Sequence, residues 1–332
     1  AGGDSATLPC KVSLQSGHDA DMGDPVHMPV LHFGAGGSGT FEVPPGAWTV
    51  TFSHGWEYTI HRENLTANPG ETALLGATLV RQVDTAGWIA IDPHSHCTRS
   101  IDSTYDIQDK IASNMCEGVE IMVVTDHDCQ TDVTPWLERM RAGMSLDPDD
   151  WIRPVVGIEI SPHYGHSTAF PLPTHPAGWV YWQVPYARYE DNRFVSHIDY
   201  PELWPRARVL ATQVINLAHP LSHNAWFDYL GIDPAGDIPR FSDLPPDKFS
   251  DDFDTIELLN GDDVDDMLGL VLPVWSAMNN QGMFKTAAGS SDVHQRDAEA
   301  GFGRTLVASS EDVPDRVDLD EVWENLRAGH AA

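Results

Sequence analysis

Basic residues are scarce in this chain, which has 19 Lys and Arg against 50 Asp and Glu and a formal net charge of −31. A surface of this sign repels the phosphates of nucleic acids, so we expect no nucleic-acid partner. It also keeps a protein hydrated and dispersed at high salt. The composition therefore suits a halophilic source and, equally, an ordinary acidic secreted protein.

Cysteines are few and long apolar runs are missing. No two of the four cysteines form a CxxC pair, and a disulfide scaffold is not expected in a chain of 332 residues. Cys97 and Cys129 each follow a cluster of possible metal ligands, and we predict that they pack behind that cluster rather than bind metal. Because no stretch approaches the ~20 apolar residues of a membrane span, we expect no membrane partner.

The length of 332 residues suits one large domain and one small domain. The chain starts at Ala1 without Met. We therefore expect a secreted or periplasmic protein whose signal peptide is absent from the sequence, with a cytoplasmic protein as the alternative.

Short β-prone runs separated by turn formers occupy residues 1–87, which predicts a small all-β, sandwich-like domain. The predicted strands are Val30–Phe33, Gly39–Val43, Trp48–Phe52, Tyr58–His61 and Ala73–Val80. This region contains no cluster of metal ligands, so we expect its histidines at the surface or in turns. They are His18, His27, His32, His54 and His61.

Residues 88–332 alternate between predicted strands and helices, which predicts an α/β fold with parallel strands and outer helices. The predicted strands are Trp88–Asp92, Val119–Thr125, Val155–Ile160, Val209–Ala218, Thr255–Leu259, Thr286–Gly289 and Thr305–Ala308. The predicted helices are Asp106–Glu117 (capped by Ser103 or Thr104), Val133–Arg141, Val264–Asn279 and Leu319–Ala328.

Residues 171–206 are rich in Pro, Trp and Tyr, and we interpret them as a long insertion near the site. Their aromatic side chains are expected to pack the insertion, with an aromatic wall for a substrate as the alternative. These side chains are Trp179, Tyr181, Trp182, Tyr186 and Tyr189.

Six short clusters of metal-ligand residues lie between residues 94 and 294, and most follow a short apolar run. They read His94-Ser95-His96, Thr125-Asp126-His127, Gly157-Ile158-Glu159, Gly165-His166, Ala218-His219-Pro220 and Ser291-Asp292-Val293-His294. A barrel enzyme collects its ligands from successive strand ends in this way. Imidazoles with a few carboxylates are the donors that Zn²⁺, Mn²⁺ and Fe²⁺ prefer. The pattern predicts a multinuclear metallohydrolase.

These clusters resemble, in the same order, the motifs of PHP-domain proteins (polymerase and histidinol phosphatase type). The opening motifs read Asp92-x-His94-x-His96, Ser100-x-Asp102-Ser103 and Glu117-Gly118-Val119 leading into Thr125-Asp126-His127. The resemblance covers about residues 87–310. The β-rich N-terminal region and the residues that flank the motifs are most similar to the CehA/McbA branch, which is named for carbaryl hydrolases. It implies a distorted (β/α)7 barrel with metal ions at the carboxyl ends of the strands.

The resemblance also implies ligands for two or three divalent ions (Zn, Mn or Fe). One ion would be held by His94, His96, Glu159 and Asp292, and a second by His127, His294 and Asp102. A third would be held by His166 and His219, with Glu159 as a bridge to the first. Many relatives use histidine where this chain has Asp102, which leaves the metal preference and occupancy of the second position open.

The implied chemistry is attack by a hydroxide formed from metal-bound water, whose pKa falls from 15.7 toward ~7. Glu159, His219 and His294 are the residues that we predict to take part in catalysis. Three divalent ions with three carboxylates and one hydroxide leave a charge of about +2, which stabilises a phosphoryl group or an oxyanion.

Several further residues have predicted supporting roles. Asp92 is expected to accept a hydrogen bond from a ligand histidine, Asp126 to orient His127 or cap a helix, and Asn260 to lie at the rim. Four further histidines are candidates for substrate contact or acid catalysis. They are His163, His175, His197 and His223.

We therefore predict a hydrolase that cleaves phosphoester bonds, mono- or diester, in a small-molecule substrate. Carbamate or carboxyl-ester hydrolysis is the second candidate, because the most similar branch points there, and a non-catalytic metal-binding module is the third. A proofreading role would require a basic track for DNA, which this chain lacks. The sequence does not determine an oligomeric state.

Overall fold

The computed structural model describes residues 7–17, 30–210, 212–222, 225–296 and 300–332. The predictions for His18, His27 and His223 lie outside the described residues, as does that for the side chain of His32. Among the described residues, no helix combines the length and the apolar character needed to cross a membrane.

The N-terminal region forms one four-stranded antiparallel sheet in the order β2-β1-β3-β4. Its strands are β1 (Cys10–Ser16), β2 (Val30–Gly34), β3 (Gly46–Ser53) and β4 (His61–Ala67). Val12, Leu14 and Val50 alternate with polar residues and are buried on one face. The predicted strands Val30–Phe33 and Trp48–Phe52 are therefore confirmed as β2 and β3, whereas β1 and nearly all of β4 were not predicted.

Two predicted strands of this region, Gly39–Val43 and Ala73–Val80, are wrong, and Tyr58–His61 contributes only the first residue of β4 and a single bridge. Phe41, Val43 and Leu75 instead pack on the sheet from irregular segments. Because these segments cover the apolar face, the described residues form a covered single sheet here rather than two packed sheets.

The rest of the chain begins with β5 (Trp88–Ser95), α1 (Ile107–Cys116), β6 (Ile121–Val124), β7 (Cys129–Thr131), α2 (Thr134–Arg141), β8 (Arg153–Val156), β9 (Ile158–Ile160) and β10 (His166–Phe170). The insertion contributes β11 (Trp179–Tyr181), β12 (Ala187–Glu190), β13 (Arg193–His197) and α3 (Tyr200–Arg208). Then follow β14 (Val214–Ala218), α4 (Trp226–Tyr229), β15 (Thr255–Asn260), α5 (Val264–Asp266), a π-helical turn (Met267–Val271), α6 (Leu272–Asn280), β16 (Thr286–Ser290), β17 (Thr305–Ala308) and α7 (Leu319–Arg327).

Two sheets form the α/β region. One has the order β17-β5-β6-β8 and the other the order β16-β15-β14-β10-β9. The strands β5, β6 and β8 are parallel, as are β14, β15 and β16, so the parallel prediction is confirmed for these. It is wrong for β9 and β17, which run antiparallel to their neighbours. The strand β10, which was not predicted, runs antiparallel to both β9 and β14. The connection from β9 to β10 is far shorter than the dozen or so residues that a parallel crossover needs.

The two sheets meet where single bridges pair Ser95 with Val293 and His127 with Glu159. Within the described ranges the strands form no closed hydrogen-bonded barrel. The bridges nevertheless bring the carboxyl ends of the parallel strands to one side of the molecule. Because β10 is reversed, its first residue, His166, lies at that same side.

Gly157 marks the point where the chain changes sheets, between β8 and β9. The sequence predicts one strand over Val155–Ile160, whereas the structure divides it between the two sheets. A Cβ atom at Gly157 would lie 2.9 Å from the Val123 side chain and 3.0 Å from Thr125. Only glycine fits this approach, which turns Glu159 toward the end of the second sheet.

The predicted helices are present with shifted ends. Asp106, rather than Ser103 or Thr104, caps α1 by accepting a hydrogen bond from the Gln108 amide. Ser103 instead donates to the carbonyl of His294 and so ties the loop before α1 to the predicted site.

The aromatic side chains of the insertion pack against other aromatic side chains of the same segment, as predicted. Trp179 contacts Tyr181, Trp182 contacts Tyr186 and Tyr189 contacts Phe194, with ring centroids 5.5, 5.9 and 6.2 Å apart. Of the five, Tyr186 also packs against the main core cluster, whereas the other four are exposed.

His54 is buried, contrary to the surface or turn position that we expected. It is 3% exposed, and its ring packs 4.8 Å from Tyr58 and 5.5 Å from Trp151. Burial lowers its pKa to about 4. Since the ordinary value is 6.5, the folded protein holds this side chain neutral at a pH where the unfolded chain protonates it.

This difference predicts a loss of stability in acid. The contribution of His54 is complete above pH 6.5 and is lost as the pH falls toward 4, by up to about 3 kcal/mol. Urea unfolding of chelator-treated protein between pH 7 and 4.5 measures it, and His54→Gln should flatten the dependence. Between pH 7 and 8 the free energy of unfolding should depend on pH equally in the wild-type protein and in His54→Gln. An equal loss of unfolding free energy in acid for both proteins would contradict the role of His54.

Candidate metal centre

The structure brings all nine predicted ligand side chains into one connected cluster at the carboxyl ends of the strands. Each lies within 4 Å of at least one other. The nine are His94, His96, Asp102, His127, Glu159, His166, His219, Asp292 and His294.

Glu159 is the centre of this cluster and is fully buried. Its Oε1 lies 2.9 Å from His166 Nδ1, 3.3 Å from His219 Nε2 and 3.4 Å from His94 Nε2. Its Oε2 lies 2.6 Å from His127 Nδ1. One carboxylate therefore faces imidazoles from β5, β10 and the ends of β6 and β14.

His94, His96 and Asp292 form the innermost group. The two Nε2 atoms are 3.0 Å apart, and Asp292 Oδ1 lies 3.2 Å from the first and 3.0 Å from the second. The predicted same-face arrangement of the HxH pair is therefore confirmed. Three donor atoms surround a common point.

Asp102 belongs to an outer group with His127 and His294. Its Oδ2 lies 3.1 Å from His127 Nε2 and 3.4 Å from His294 Nε2, while Ser100 donates to its Oδ1. The carboxylate is half-exposed. Burial raises its pKa, but the His127 and His294 imidazoles outweigh this and hold the pKa below 3.8. Asp102 thus lies where the resemblance places a ligand.

Three overlapping sets of donors have spacing suited to a metal ion. The described residues give His94, His96 and Asp292; then His96, Asp102, His127 and His294; then His127, Glu159 and His166. The first two agree with the implied sets, apart from Glu159 in the first and the added His96 in the second. In the third, His127 takes the place expected for His219, which instead contacts Glu159.

The proton positions in the cluster suit metal binding. The Nδ1 atoms of His94, His219 and His294 face Glu257 Oε1, the Ser222 carbonyl and the Asp292 carbonyl, at 2.8, 3.2 and 2.8 Å. Carboxylate and carbonyl oxygens only accept, so in each ring Nδ1 carries the proton. The Nε2 lone pairs are then left to converge on the cluster.

Three buried polar atoms provide a second test of fit. Glu159 Oε2, Asp292 Oδ1 and His294 Nε2 have no hydrogen-bond partner, although each has an imidazole nitrogen or a carboxylate oxygen within 4 Å. For His294 that neighbour is Asp102 Oδ2, which cannot donate to the lone pair of Nε2. Unpaired buried polar atoms are costly, and a cation among them would satisfy all three. The residues therefore fit a divalent metal.

The electrostatic field of the cluster is strongly negative. Burial raises the pKa of Glu159, but the His94 and His166 imidazoles outweigh it and hold that pKa well below 4.5. Burial lowers the pKa of His219, yet its hydrogen bond to Glu159 raises it to about 9. Protons and metal ions thus compete for the same nitrogen atoms.

Two of the clustered residues have unusual backbone conformations. His219 has φ of 24° and Asp292 has φ of 47°, in a region that side chains rarely adopt. Such strain persists only where the surrounding structure over-determines it, and it is concentrated at functional sites. His219 directly follows β14 and Asp292 lies two residues beyond the end of β16, and the strained turn aims each side chain at the cluster.

Sequence reasoning missed Glu257, which is 1% exposed and accepts the hydrogen bond from His94. Its signal was a carboxylate within an otherwise largely apolar strand. Asn260, predicted at the rim, joins Glu257 Oε2 to Asp292 Oδ2 at 3.0 and 3.1 Å.

The predicted roles of Asp92 and Asp126 are wrong in detail. Asp92 accepts from the backbone amides of His94 and Ser291 and from the Ser291 hydroxyl, rather than from an imidazole. Asp126 accepts from the backbone amide and thiol of Cys97 and from Thr131, rather than orienting His127 or capping a helix. Both carboxylates hold loops together behind the cluster. Cys97 is a free buried thiol there, as is Cys129, in agreement with a packing role.

A cavity of about 310 Å³ opens over the cluster. It is lined by Asp102, His127, His166, His219, Ser222, Asn260, Asp292 and His294. Of the four further candidate histidines, His163 and His197 contact each other with ring centroids 4.3 Å apart, and His175 accepts from the Ala177 amide. None of these three lines the cavity.

Added Zn²⁺ or Mn²⁺ is expected to raise the Tm of chelator-treated protein. An ion that binds only the folded state stabilises it by about 2.7 kcal/mol at a free concentration of a hundred times Kd. Scanning calorimetry measures the shift. Asp292→Asn should reduce it, whereas Asp252→Asn, an exposed aspartate paired with Arg208, is the matched control. The same shift in both variants would count against a cation at this cluster.

No family model matches this chain, and no curated protein matches it. Among solved structures, it is similar to a two-domain protein of Bacteroides vulgatus ATCC 8482, described as containing a predicted PHP-like metal-dependent phosphoesterase. The identity is 15% and the TM-score 0.45, over 78% of this chain and 69% of that chain. The likeness by itself assigns neither a family nor an activity to this protein.

Proposed function

We propose that this chain is a PHP-type metal-dependent hydrolase that cleaves phosphoester bonds. The proposal rests on the three donor groups, which lie within a single cluster and overlap. The outer group shares His96 with the innermost group and His127 with the group that contains Glu159. Overlapping sets of this kind suit a multinuclear site, in which neighbouring ions act on one substrate. The order of the sequence motifs supports the same family.

We further propose that the nine clustered residues are the metal ligands and that the strands around them form a distorted (β/α)7 barrel. The seams of that barrel would be the two places where single bridges join the sheets, at Ser95 with Val293 and at His127 with Glu159. The N-terminal sheet, residues 1–87, would be a separate domain that packs on α1. An ion pair of 2.5 Å between Lys11 and Glu117 supports that packing.

Divalent ions bound here would lower the pKa of a water molecule toward ~7 and polarise an oxygen of the substrate. The protein would contribute orientation. Glu159 holds imidazoles from several strands at fixed positions, and His219 and His294 both line the cavity in which a scissile bond would lie. These are the proposed catalytic residues.

The number of ions decides which ester the site favours. Four carboxylates contact the cluster: Asp102, Glu159, Asp292 and Glu257. With the attacking hydroxide included, two divalent ions would leave a charge of about −1, and three would leave about +1. A positive site stabilises the transition state of a phosphoester more than that of a neutral carbamate or carboxyl ester. Phosphoesters are therefore the substrates of a site with three ions.

A substrate panel tests the reaction class. Metal-loaded protein should hydrolyse p-nitrophenyl phosphate or its bis-ester faster than aryl acetates or aryl carbamates. His94→Ala should lose at least ~10²-fold in rate, because it removes a donor from the innermost group. His330→Ala, an exposed histidine far along the chain, should keep full activity. Faster turnover of carbamates would favour the second candidate, and no turnover with ions bound would favour a non-catalytic module.

Asp102 gives a separate test of nuclearity. Asp102→Ala should reduce the bound metal by one ion per chain, measured by elemental analysis, since the outer group loses its only carboxylate. Phosphoester hydrolysis should then fall more than carboxyl-ester hydrolysis, as the charge of the site drops. Asp109→Ala, an exposed residue paired with Arg296, is the control. An unchanged metal content would show that Asp102 is no ligand.

A further inference from the structure

Glu257 is a buried carboxylate whose two oxygens accept four hydrogen bonds. Oε1 accepts from His94 Nδ1 at 2.8 Å and Asn216 Nδ2 at 2.9 Å. Oε2 accepts from the backbone amide of His219 at 2.8 Å and Asn260 Nδ2 at 3.0 Å. The side chain therefore meets donors on β5, β14 and β15 at once.

Three of the four partners of Glu257 also have a link to the cluster. His94 contacts Glu159 and Asp292 through Nε2, and Asn260 donates to Asp292 Oδ2 as well. The His219 amide belongs to the strained turn that aims its imidazole at Glu159. Glu257 thus hydrogen-bonds to groups that hold His94, His219 and Asp292 in place, although it belongs to none of the three donor groups.

Hydrogen-bond chemistry makes these contacts directional. An ionised carboxylate only accepts, so the proton of His94 must lie on Nδ1 and its lone pair on Nε2. A carboxylate in this place also makes the imidazole a stronger ligand. Asn216 fixes Glu257 in turn, because its own Oδ1 accepts from Thr255 at 2.8 Å, which leaves its amide group to donate.

Resting on the proposed metal site, we propose that Glu257 is a positioning residue that sets the His94 tautomer and holds the His219 turn, and thereby sets metal affinity. It acts through His94 and His219 and does not touch the substrate cavity, whose lining omits it. A merely structural carboxylate would stabilise the fold and leave the affinity of correctly folded protein unchanged.

Glu257→Gln separates these roles. Glutamine keeps the shape but offers one acceptor oxygen, so two of the four donors would face an NH₂ group. The affinity for Zn²⁺ by chelator competition should fall by ~10–100-fold. The d–d absorption of Co²⁺-substituted protein should shift, while the circular dichroism stays the same. Glu257→Asp, which keeps the charge, should recover part of the affinity.

Glu120→Gln is the matched control. Glu120 is also largely buried, and its Oε2 accepts from the Ala90 amide at 2.7 Å, at the end of β5 away from the cluster. Its replacement should leave Zn²⁺ affinity and the Co²⁺ spectrum unchanged. If Glu257→Gln behaves in the same way as this control, the positioning role is overturned.

Wild-type protein provides a test that does not depend on a variant folding. ¹⁵N NMR of histidine-labelled, Zn²⁺-loaded protein should show His94 protonated on Nδ1, and the opposite tautomer would overturn the inference. The two proposals fail differently. Wild-type protein that binds no Zn²⁺ overturns the metal site and this role with it, whereas wild-type binding with an equal affinity in Glu257→Gln overturns this role alone.

Discussion

The buried carboxylate of Glu159 is the constraint on which the rest of the site depends. It is fully buried and faces imidazoles that come from four separate stretches of chain. Moving such a charge out of water costs several kcal/mol, and nearby Asp292 adds a second negative charge. The unsatisfied oxygens of both residues indicate that imidazoles alone do not offset this cost. A cluster of this kind is stable when a cation completes it.

The fold meets this constraint by bringing two sheets together at the end where the parallel strands finish. Gly157 lets the chain cross from one sheet to the other immediately before Glu159. The reversed strand β10 then contributes His166 from its first residue, whereas the parallel strands contribute residues at or just beyond their carboxyl ends. Strand direction and the position of the residue along the strand thus change together, and six of the nine residues line the same cavity.

Local pattern predicted the residues of the cluster because most of them follow or end a short apolar run, and a buried strand rarely closes on an imidazole or carboxylate without a partner. It could not predict the direction of β10, which follows from a short connection and the neighbours available. It also missed Glu257 and the burial of His54, because both depend on which elements pack against them. The single sheet of the N-terminal region was missed since Phe41 and Leu75 cover it from segments with strand-like composition.

The charge of the whole chain and the charge of the cavity have opposite consequences for a substrate. A net charge of −31 repels anions at long range, although salt screens this beyond about 10 Å at 0.1 M. At the cluster, the sign would be set by the number of bound ions against four carboxylates. An anionic substrate, such as the proposed phosphoester, would therefore be held by the short-range field of the site rather than steered to it. Because salt screens the surface charge, its repulsion of such a substrate is weakest at high ionic strength.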